Sequence, residues 1–210
     1  VLGTQEKPVP VNIDKDMKFF GKANILTDIK LESTGGKKNL FANGKAFTVG
    51  TTAEAAQEMN DAGTAITSGI TIYGGSDQTP VDKTNVTVRG KGFADIYGGG
   101  RGTGAVVNHD SNVSIYLPKP TGEGKTVNPE YRFGTISGHG TDDADELTSS
   151  VNGKTSVTIQ PEDKDQGYQA DIENLAGFDS LVLGTADSTL NHTETTFRIT
   201  GRFDSKAAAA

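Results

Sequence analysis

The sequence has no cysteine, no tryptophan and no long apolar run. Without cysteine, disulfide bridges and thiolate metal sites are excluded. Without a run of about 18 apolar residues, no membrane-spanning helix is predicted. Basic residues are also in deficit, with 20 Lys and Arg against 27 Asp and Glu. The net charge of −7 argues against binding to a nucleic-acid backbone, which requires a basic face.

Glycine is abundant instead, at 27 of the 210 residues, while hydrophobic residues make up only 33%. This much glycine disfavours a compact helical protein. Short runs of Val, Ile and Phe nevertheless recur along the whole chain, so it is not expected to be disordered. A chain of this length can bury a sizeable core. The composition therefore favours an all-β protein.

A repeated unit is the most informative feature of the sequence. Each unit consists of a short strand, a glycine-rich turn, a variable loop and a second short strand. Clear copies occupy residues 70–88, 93–115, 133–159 and 178–199, and a weaker one occupies residues 27–49. In the second strands apolar and polar residues alternate, as in Val86, Thr87 and Val88. This alternation predicts strands with one buried face and one exposed face.

Further features follow from aligning the units. One phenylalanine precedes the central apolar residue of the first strand by three positions in successive units, which predicts an aromatic ladder of Phe93, Phe133 and Phe178. The unit length drifts because of two polar inserts, at residues 118–130 and 161–176. Repeat proteins tolerate such inserts, since each unit contacts only its neighbours.

One short helix is predicted at residues 51–62, where Thr51 and Glu54 have capping-box spacing.

These units resemble those of parallel β-helix, adhesin-like surface proteins of gut bacteria. Such proteins repeat the pattern Ile-Tyr-Gly-Gly-Gly followed by Asn-Val-Thr-Ile, which residues 95–115 match in particular. The resemblance covers roughly residues 66–202. It implies an all-β fold, a single right-handed parallel β-helix with one short helix and two insert loops. An antiparallel β-sandwich is the alternative fold.

The ends of the chain differ from its middle in composition. Residues 1–17 are expected to form a linker or a leading segment, with a strand at Val9–Ile13. Residues 18–206 are expected to form the β-helix domain, and the four alanines at 207–210 an artificial tail. The sequence starts without Met, so we expect a fragment of a longer protein. The resemblance implies that this protein is extracellular or on the cell surface.

The resemblance also implies binding without a fixed catalytic apparatus. We expect a non-catalytic module of a secreted or cell-surface bacterial protein that engages a host protein, with immunoglobulin as one candidate. A β-helix that binds or cleaves polysaccharide is the second hypothesis, and an aromatic content of 7% without Trp counts against it. A passive structural spacer is the third hypothesis. No cofactor, no nucleic-acid partner and no membrane insertion are expected.

Two groups of residues are candidates for contact with a partner, and the first lies in the parts of the sequence that do not repeat. Interface anchors are often Tyr and Arg surrounded by polar groups. The predicted binding residues near the inserts are therefore Tyr131, Arg132 and Tyr168. The competing site is an exposed pair, Tyr73 and Tyr97, in the repeated Ile-Tyr-Gly-Gly turns. The alternative interpretation is that each insert tyrosine only fixes its loop to the core.

Two motifs resemble chemical sites, and both have simpler interpretations. Residues 98–104 resemble a phosphate-binding loop, but a strand and not a helix is predicted to follow them. They are interpreted as a corner whose glycines adopt positive φ. The acidic run of residues 142–146 lacks the register of a calcium loop and is interpreted as solvated. The sequence predicts no catalytic constellation and no metal site.

Chelation tests the interpretation of the acidic run. We expect excess EDTA to leave the Tm of the protein unchanged, because no divalent ion contributes to its folding. Thermal unfolding followed by circular dichroism, with and without added calcium, makes the measurement. A drop of several degrees on chelation that calcium reverses would instead establish a site at residues 142–146.

Overall fold

The computed structural model describes residues 9–25, 29–50, 66–89, 92–117, 130–148, 150–162, 168–184 and 195–205. Its described residues form β-strands and contain no helix. The helix predicted at residues 51–62 lies outside the described residues, as do residues 118–129 of the first insert and the tail at 207–210. The fold is all-β, as the composition predicts.

The strands are short and follow one another closely. Their bounds in chain order are β1 (Val9–Ile13), β2 (Met17–Lys18), β3 (Ala23–Ile25), β4 (Ile29–Ser33), β5 (Lys38–Phe41), β6 (Ala46–Val49), β7 (Ile66–Tyr73), β8 (Thr84–Arg89), β9 (Gly92–Tyr97), β10 (Ser111–Leu117), β11 (Glu130–Ser137), β12 (Gly140–Thr141), β13 (Leu147–Thr148), β14 (Thr155–Pro161), β15 (Tyr168–Ala176), β16 (Ser180–Leu183), β17 (Thr195–Ile199) and β18 (Phe203–Asp204).

Most of these strands form two parallel sheets. The eight-stranded sheet has the order β17-β15-β11-β9-β7-β5-β2, with β18 also beside β15, and the six-stranded sheet has the order β16-β14-β10-β8-β6-β3. The chain alternates between them, so that β5 is followed by β6, β7 by β8 and β9 by β10. We call one strand of the larger sheet and the next strand of the smaller sheet a layer. Every strand pair in both sheets is parallel, so the antiparallel β-sandwich alternative is wrong.

Four strands lie outside the two sheets. The predicted leading strand β1 pairs in parallel with β4. An antiparallel hairpin of β12 and β13 separates β11 from β14. Between the sheets, isolated parallel bridges join Asp77 to Arg101 and Arg101 to Thr141. These bridges pair the segments that connect the larger sheet to the smaller one in successive layers.

The core consists of rows of equivalent side chains. Neighbouring strands lie about 4.8 Å apart, so residues in register stack directly on one another. In the six-stranded sheet the predicted inward residues form two rows, Val86–Val113–Val157 and Val88–Ile115–Ile159. In the eight-stranded sheet one row contains Met17, Leu40, Ile72, Ile96, Ile136, Leu175 and Phe203. Inward residues of both sheets form a single hydrophobic cluster, which confirms the inward assignment of the alternating apolar residues.

The predicted phenylalanine ladder is wrong at Phe178, because the last unit has a different phase. Phe133 lies in β11 and pairs with Ile172 of β15. Phe178 follows β15, and its ring contacts that of Phe203 at 5.9 Å between centroids. The strand that follows it, β16, belongs to the six-stranded sheet, where Leu181 pairs with Val157. The side chain of Phe93 lies outside the described residues.

The second predicted insert is also partly wrong. Within residues 161–176, β15 (Tyr168–Ala176) is a nine-residue strand in the interior of the larger sheet. Its central residues alternate between buried Ala170 and Ile172 and the less buried Asp171. The segment looks like a polar loop in the sequence because only every second residue of its strand faces the core and needs to be apolar.

The glycine-rich corners are explained by close backbone contact more than by positive φ. Gly74, Gly98, Gly138 and Gly177 follow successive strands of the larger sheet. A Cβ on Gly98 would lie 2.6 Å from the carbonyl oxygen of Gly138, and a Cβ on Gly138 would lie 2.6 Å from that of Gly177. Any side chain there would push the layers apart. Within residues 98–104 only Gly102, at φ 89°, has the predicted positive φ.

A core substitution tests the inward placement of Phe133, which is 2% exposed. Phe133→Ala should lower the free energy of unfolding by about 3–5 kcal/mol, because it leaves a cavity between layers. Urea unfolding measures this change. Phe20, 82% exposed, offers a matched control, and Phe20→Ala should change the stability by less than about 0.5 kcal/mol. Equal effects of the two substitutions would contradict the placement.

Candidate functional site

Four of the five tyrosines are buried, and they are the four predicted to contact a partner. Tyr73, Tyr131 and Tyr168 are 0% exposed and Tyr97 is 4% exposed. The prediction that Tyr73 and Tyr97 form an exposed pair is therefore wrong. Their alignment is confirmed, since their rings stack with centroids 5.0 Å apart and planes at 17°.

The stacked column Phe41–Tyr73–Tyr97 lies on the face of the larger sheet opposite Ile72. It is covered by side chains from distant parts of the chain. The hydroxyl of Tyr73 lies 3.1 Å from Oγ1 of Thr141 and also donates to Asp145 Oδ1 at 3.4 Å. Burial is the main cause that raises the pKa of the Tyr73 and Tyr97 phenols well above the ordinary value. The column thus fastens the β12–β13 hairpin to the sheet.

The insert tyrosines belong to the core. Tyr131 in β11 and Tyr168 in β15 have ring centroids 5.9 Å apart and join the main hydrophobic cluster. Burial raises the pKa of the Tyr131 phenol above its usual range, and the nearby phenol of Tyr168 and carboxylate of Glu162 add to this. Neither ring is available on the surface as an anchor for a partner.

Arg132 is the one predicted contact that is exposed. It stands beside Asp171, which in turn stands beside Arg198 on the outward face of the larger sheet. Nε of Arg198 donates to Oδ1 of Asp171 at 2.9 Å. Hydrogen bonding from Arg198 is the main cause that lowers the pKa of Asp171, and Arg132 adds a smaller attraction. The three side chains form a charged row that aligns successive strands.

The acidic run has a local structural role. Oδ1 of Asp142 accepts hydrogen bonds from the backbone N–H of Ala144 at 2.8 Å and of Glu146 at 2.9 Å. These bonds close the turn between β12 and β13, where Asp145 adopts φ 63°. Within the part of the chain that the structure describes, no group of three or more His, Cys, Asp or Glu could hold a metal ion.

Tyr116 is the tyrosine that sequence reasoning missed. It lies in β10 on the outward face of the six-stranded sheet and is half-buried. The guanidinium carbon of Arg89, on the neighbouring strand β8, lies 4.2 Å from its ring centroid. This is a cation–π contact, in which the ring face attracts the guanidinium charge. On the other side Tyr116 pairs with Gln160 of β14.

Glu162 holds the arginine in this position. Its Oε1 accepts a hydrogen bond from Nε of Arg89 at 2.7 Å, and its backbone N–H donates to the carbonyl of Leu117 at 2.9 Å. The carboxylate side chain is 8% exposed and the Arg89 side chain 17%. A charged hydrogen bond between groups this buried is short and strong. The hydrogen bond to Glu162 therefore helps to hold the planar guanidinium over Tyr116.

Uncharged polar residues extend from this pair across the sheet. Thr87, Ser114 and Thr158 form one outward row, and Asn85, Asn112 and Ser156 form the next. The Ser156 hydroxyl donates to Oδ1 of Asn112 at 2.6 Å, so these side chains also bond to each other between strands. We call the surface made by these rows together with Arg89, Tyr116 and Gln160 the Tyr116 face.

The signal for Tyr116 was present in the alternation of its strand. Val113, Ile115 and Leu117 point inward, so the residues between them point outward. The alternation that the sequence shows at Val86, Thr87 and Val88 places Ser114 outward by the same rule, and the next outward position along this strand is Tyr116. The contact with Arg89 was not visible, since it depends on the register of β8 against β10.

Comparison of this chain with protein-family models, with curated proteins and with solved structures found no match. Among the described residues, no helix has the length and apolar character needed to span a membrane. The geometry of the Tyr116 face is therefore the basis for assigning a function.

An alkaline titration tests the burial of the tyrosines. Tyr73, Tyr97 and Tyr131 have raised pKa values in the folded protein, so they should stay protonated near pH 10, where unfolded tyrosine ionises. Above that pH the unfolded chain binds fewer protons than the folded chain, and stability should fall as pH rises. The absorbance of the phenolate band, measured for the folded chain and for the same chain in denaturant, gives the number of tyrosines that ionise in each state. Five tyrosines ionising together near pH 10 in folded protein would contradict the burial.

Proposed function

We propose that this chain is a non-catalytic protein-binding module on a right-handed parallel β-helix, part of a secreted or cell-surface bacterial protein. The alternation of the chain between two parallel sheets supports the β-helix, as do the glycine corners and the bridges between the sheets. Connections between parallel strands of one sheet are right-handed in nearly all proteins, which supports the handedness.

The Arg89–Tyr116 pair is the observation that carries the proposal. Binding energy at protein interfaces concentrates in a few Tyr, Trp and Arg residues ringed by polar groups. The Tyr116 face has this composition, with one aromatic ring and one guanidinium among hydroxyl and amide side chains. Because Glu162 already positions Arg89, little side-chain entropy is lost on binding.

The same pair favours a protein partner over a sugar. Sugars stack on open aromatic rings, and the Arg89 guanidinium covers one side of the Tyr116 ring. In the described strands of the six-stranded sheet, no second aromatic residue points outward. A host protein is therefore the proposed partner, and immunoglobulin is one candidate.

The experiment has two stages. Host serum and mucus proteins are first passed over the immobilised chain, and the retained protein is identified. Its affinity is then measured by surface plasmon resonance for the native chain and for Tyr116→Ala. We expect the substitution to weaken binding at least tenfold, or about 1.4 kcal/mol. A double variant, Arg89→Gln with Glu162→Gln, should weaken it similarly, and it leaves no charged group buried alone.

Arg132→Ala is the matched control, since Arg132 is an exposed arginine on the other sheet. It should leave the affinity unchanged. If Arg132→Ala weakens binding while Tyr116→Ala does not, the partner uses the larger sheet and the proposed site is wrong. If mucus glycans are retained and no protein is, the polysaccharide hypothesis replaces the protein partner.

A further inference from the structure

The chain contains an asparagine followed by a glycine twice, at Asn43–Gly44 and at Asn152–Gly153. In such a pair the asparagine loses its side-chain amide when the backbone nitrogen of the glycine attacks the side-chain carbonyl, and glycine has no side chain to hinder the approach. The attack requires that nitrogen to be free of a hydrogen bond and able to move. The surroundings of the two glycine nitrogens therefore decide which pair is reactive.

The Asn43–Gly44 pair is held firmly in the turn between β5 and β6. The N–H of Gly44 donates to the carbonyl oxygen of Gly74 at 2.9 Å, and the N–H of Asn43 donates to that of Gly75 at 3.0 Å. The side-chain amide of Asn43 donates to the carbonyl oxygen of Phe19 at 2.9 Å. The attacking nitrogen and the amide that it would attack are thus both bonded to neighbouring layers.

The Asn152–Gly153 pair lies in the segment that leads into β14, and its glycine nitrogen is not held. The N–H of Asn152 donates to the carbonyl oxygen of Val107 at 2.9 Å, whereas the N–H of Gly153 makes no hydrogen bond to any described residue. Asn152 is also exposed. Nothing in the described part of the chain therefore prevents the glycine nitrogen from approaching the side-chain carbonyl.

The next layer explains why Gly153 has no bonded neighbour on that side. In the next layer only residues 177–179 separate β15 from β16. This layer makes its contact at Thr155, whose carbonyl oxygen accepts a hydrogen bond from the N–H of Asp179 at 2.9 Å. Val151 bridges Val107 of the preceding layer, and no described segment continues this row. The connecting segment that contains Gly153 is thus the last of its row.

Packing against the preceding layer requires glycine at position 153. A Cβ on Gly153 would lie 2.4 Å from the carbonyl carbon of His109. Any side chain there would push the two layers apart. The stacking of layers therefore places a glycine directly after an exposed asparagine, and the reactivity of the pair follows from that placement.

We propose that Asn152 is a site of spontaneous deamidation in the folded protein, and that Asn43 is protected. The nitrogen of Gly153 loses its proton and bonds to Cγ of Asn152, and the side-chain nitrogen leaves as ammonia with the electron pair of the broken C–N bond. Water then opens the resulting cyclic imide at either carbonyl. One opening gives aspartate, and the other gives isoaspartate, whose backbone contains an additional carbon atom. Overall, water is consumed and ammonia is released.

Deamidation changes the start of β14. Both products add a negative charge, and isoaspartate also lengthens the backbone where it packs on His109. Two nearby contacts depend on the position of this backbone, namely the bridge between Val107 and Val151 and the hydrogen bond at 3.0 Å from the N–H of Lys154 to Oδ1 of Asp110. Both contacts hold the segment in register with the preceding layer. Isoaspartate therefore weakens the attachment of this segment.

Peptide mapping by mass spectrometry follows both pairs in the same sample. The folded chain, and the chain unfolded in guanidinium chloride, are incubated at body temperature in mildly alkaline buffer, and the asparagine, aspartate and isoaspartate forms of each peptide are quantified over time. In the folded chain Asn152 should convert at least about tenfold faster than Asn43, which corresponds to about 1.4 kcal/mol in barrier height. In guanidinium chloride the two pairs should convert at similar rates, because only the fold distinguishes them.

Two variants at position 152 separate the reaction from its effect on the fold. The Tm of the native chain should fall by a few degrees as isoaspartate accumulates. Asn152→Gln should keep its Tm through the same incubation, since its longer side chain closes the ring slowly. Asn152→Asp has the added charge on an ordinary backbone, and before incubation its Tm should exceed that of the aged native chain.

Equal rates for Asn43 and Asn152 in the folded chain would overturn the proposal. So would an Asn152 that stays intact in the folded chain while the unfolded chain converts, since the fold would then protect both pairs. A native chain that accumulates isoaspartate at position 152 and keeps its Tm would overturn the proposed effect on the start of β14.

Discussion

The structure depends on one constraint, the in-register parallel pairing of successive layers. Backbone hydrogen bonds join each strand to the equivalent strand of the next layer, about 4.8 Å away. Each side chain therefore stands on its counterpart, and the stack holds only if the counterparts are compatible. Valine and isoleucine rows satisfy this requirement inside the sheets. Glycine satisfies it at the corners, where Gly98 and Gly138 leave no room for a Cβ between the layers. The Phe41–Tyr73–Tyr97 column satisfies it with stacked rings.

The same constraint separates structural residues from those available for binding. A repeated tyrosine lies on the tyrosine of the next layer, so Tyr73 and Tyr97 stabilise the stack, and the β12–β13 hairpin covers them. Tyr116 does not repeat, and its neighbours in register are Arg89 and Gln160. It is this break in the repetition that gives the Tyr116 face an individual pattern of groups. Recognition in such a fold therefore depends on positions where the layers differ.

At the described ends of the stack, the outermost strands lack a neighbouring layer on one side. Inner layers have a partner on both sides, while Leu183 and Phe203 have a strand partner on one side only within the described part of the chain, and both are exposed. Terminal units of repeat proteins usually carry a polar outer face that prevents association. The described ends of this chain carry exposed apolar residues instead, among them Met17 and Phe203.

The sequence by itself determined the all-β class, the existence of a repeat and the inward and outward faces of β8, β10 and β14, because alternation along a strand is local information. The parallel pairing of the strands was decided by the tertiary structure, since alternation is the same in parallel and antiparallel sheets. It did not determine the phase of the last unit, since Leu181 could be aligned with either sheet until its partner Val157 was known. Nor did it show which outward residues are covered. Tyr73 points away from the core row yet is buried by Thr141 and Asp145, about 70 residues later in the chain. Contacts between distant segments decided the burial of the tyrosines and the pairing of Arg89 with Tyr116, because neither follows from the residues next to them.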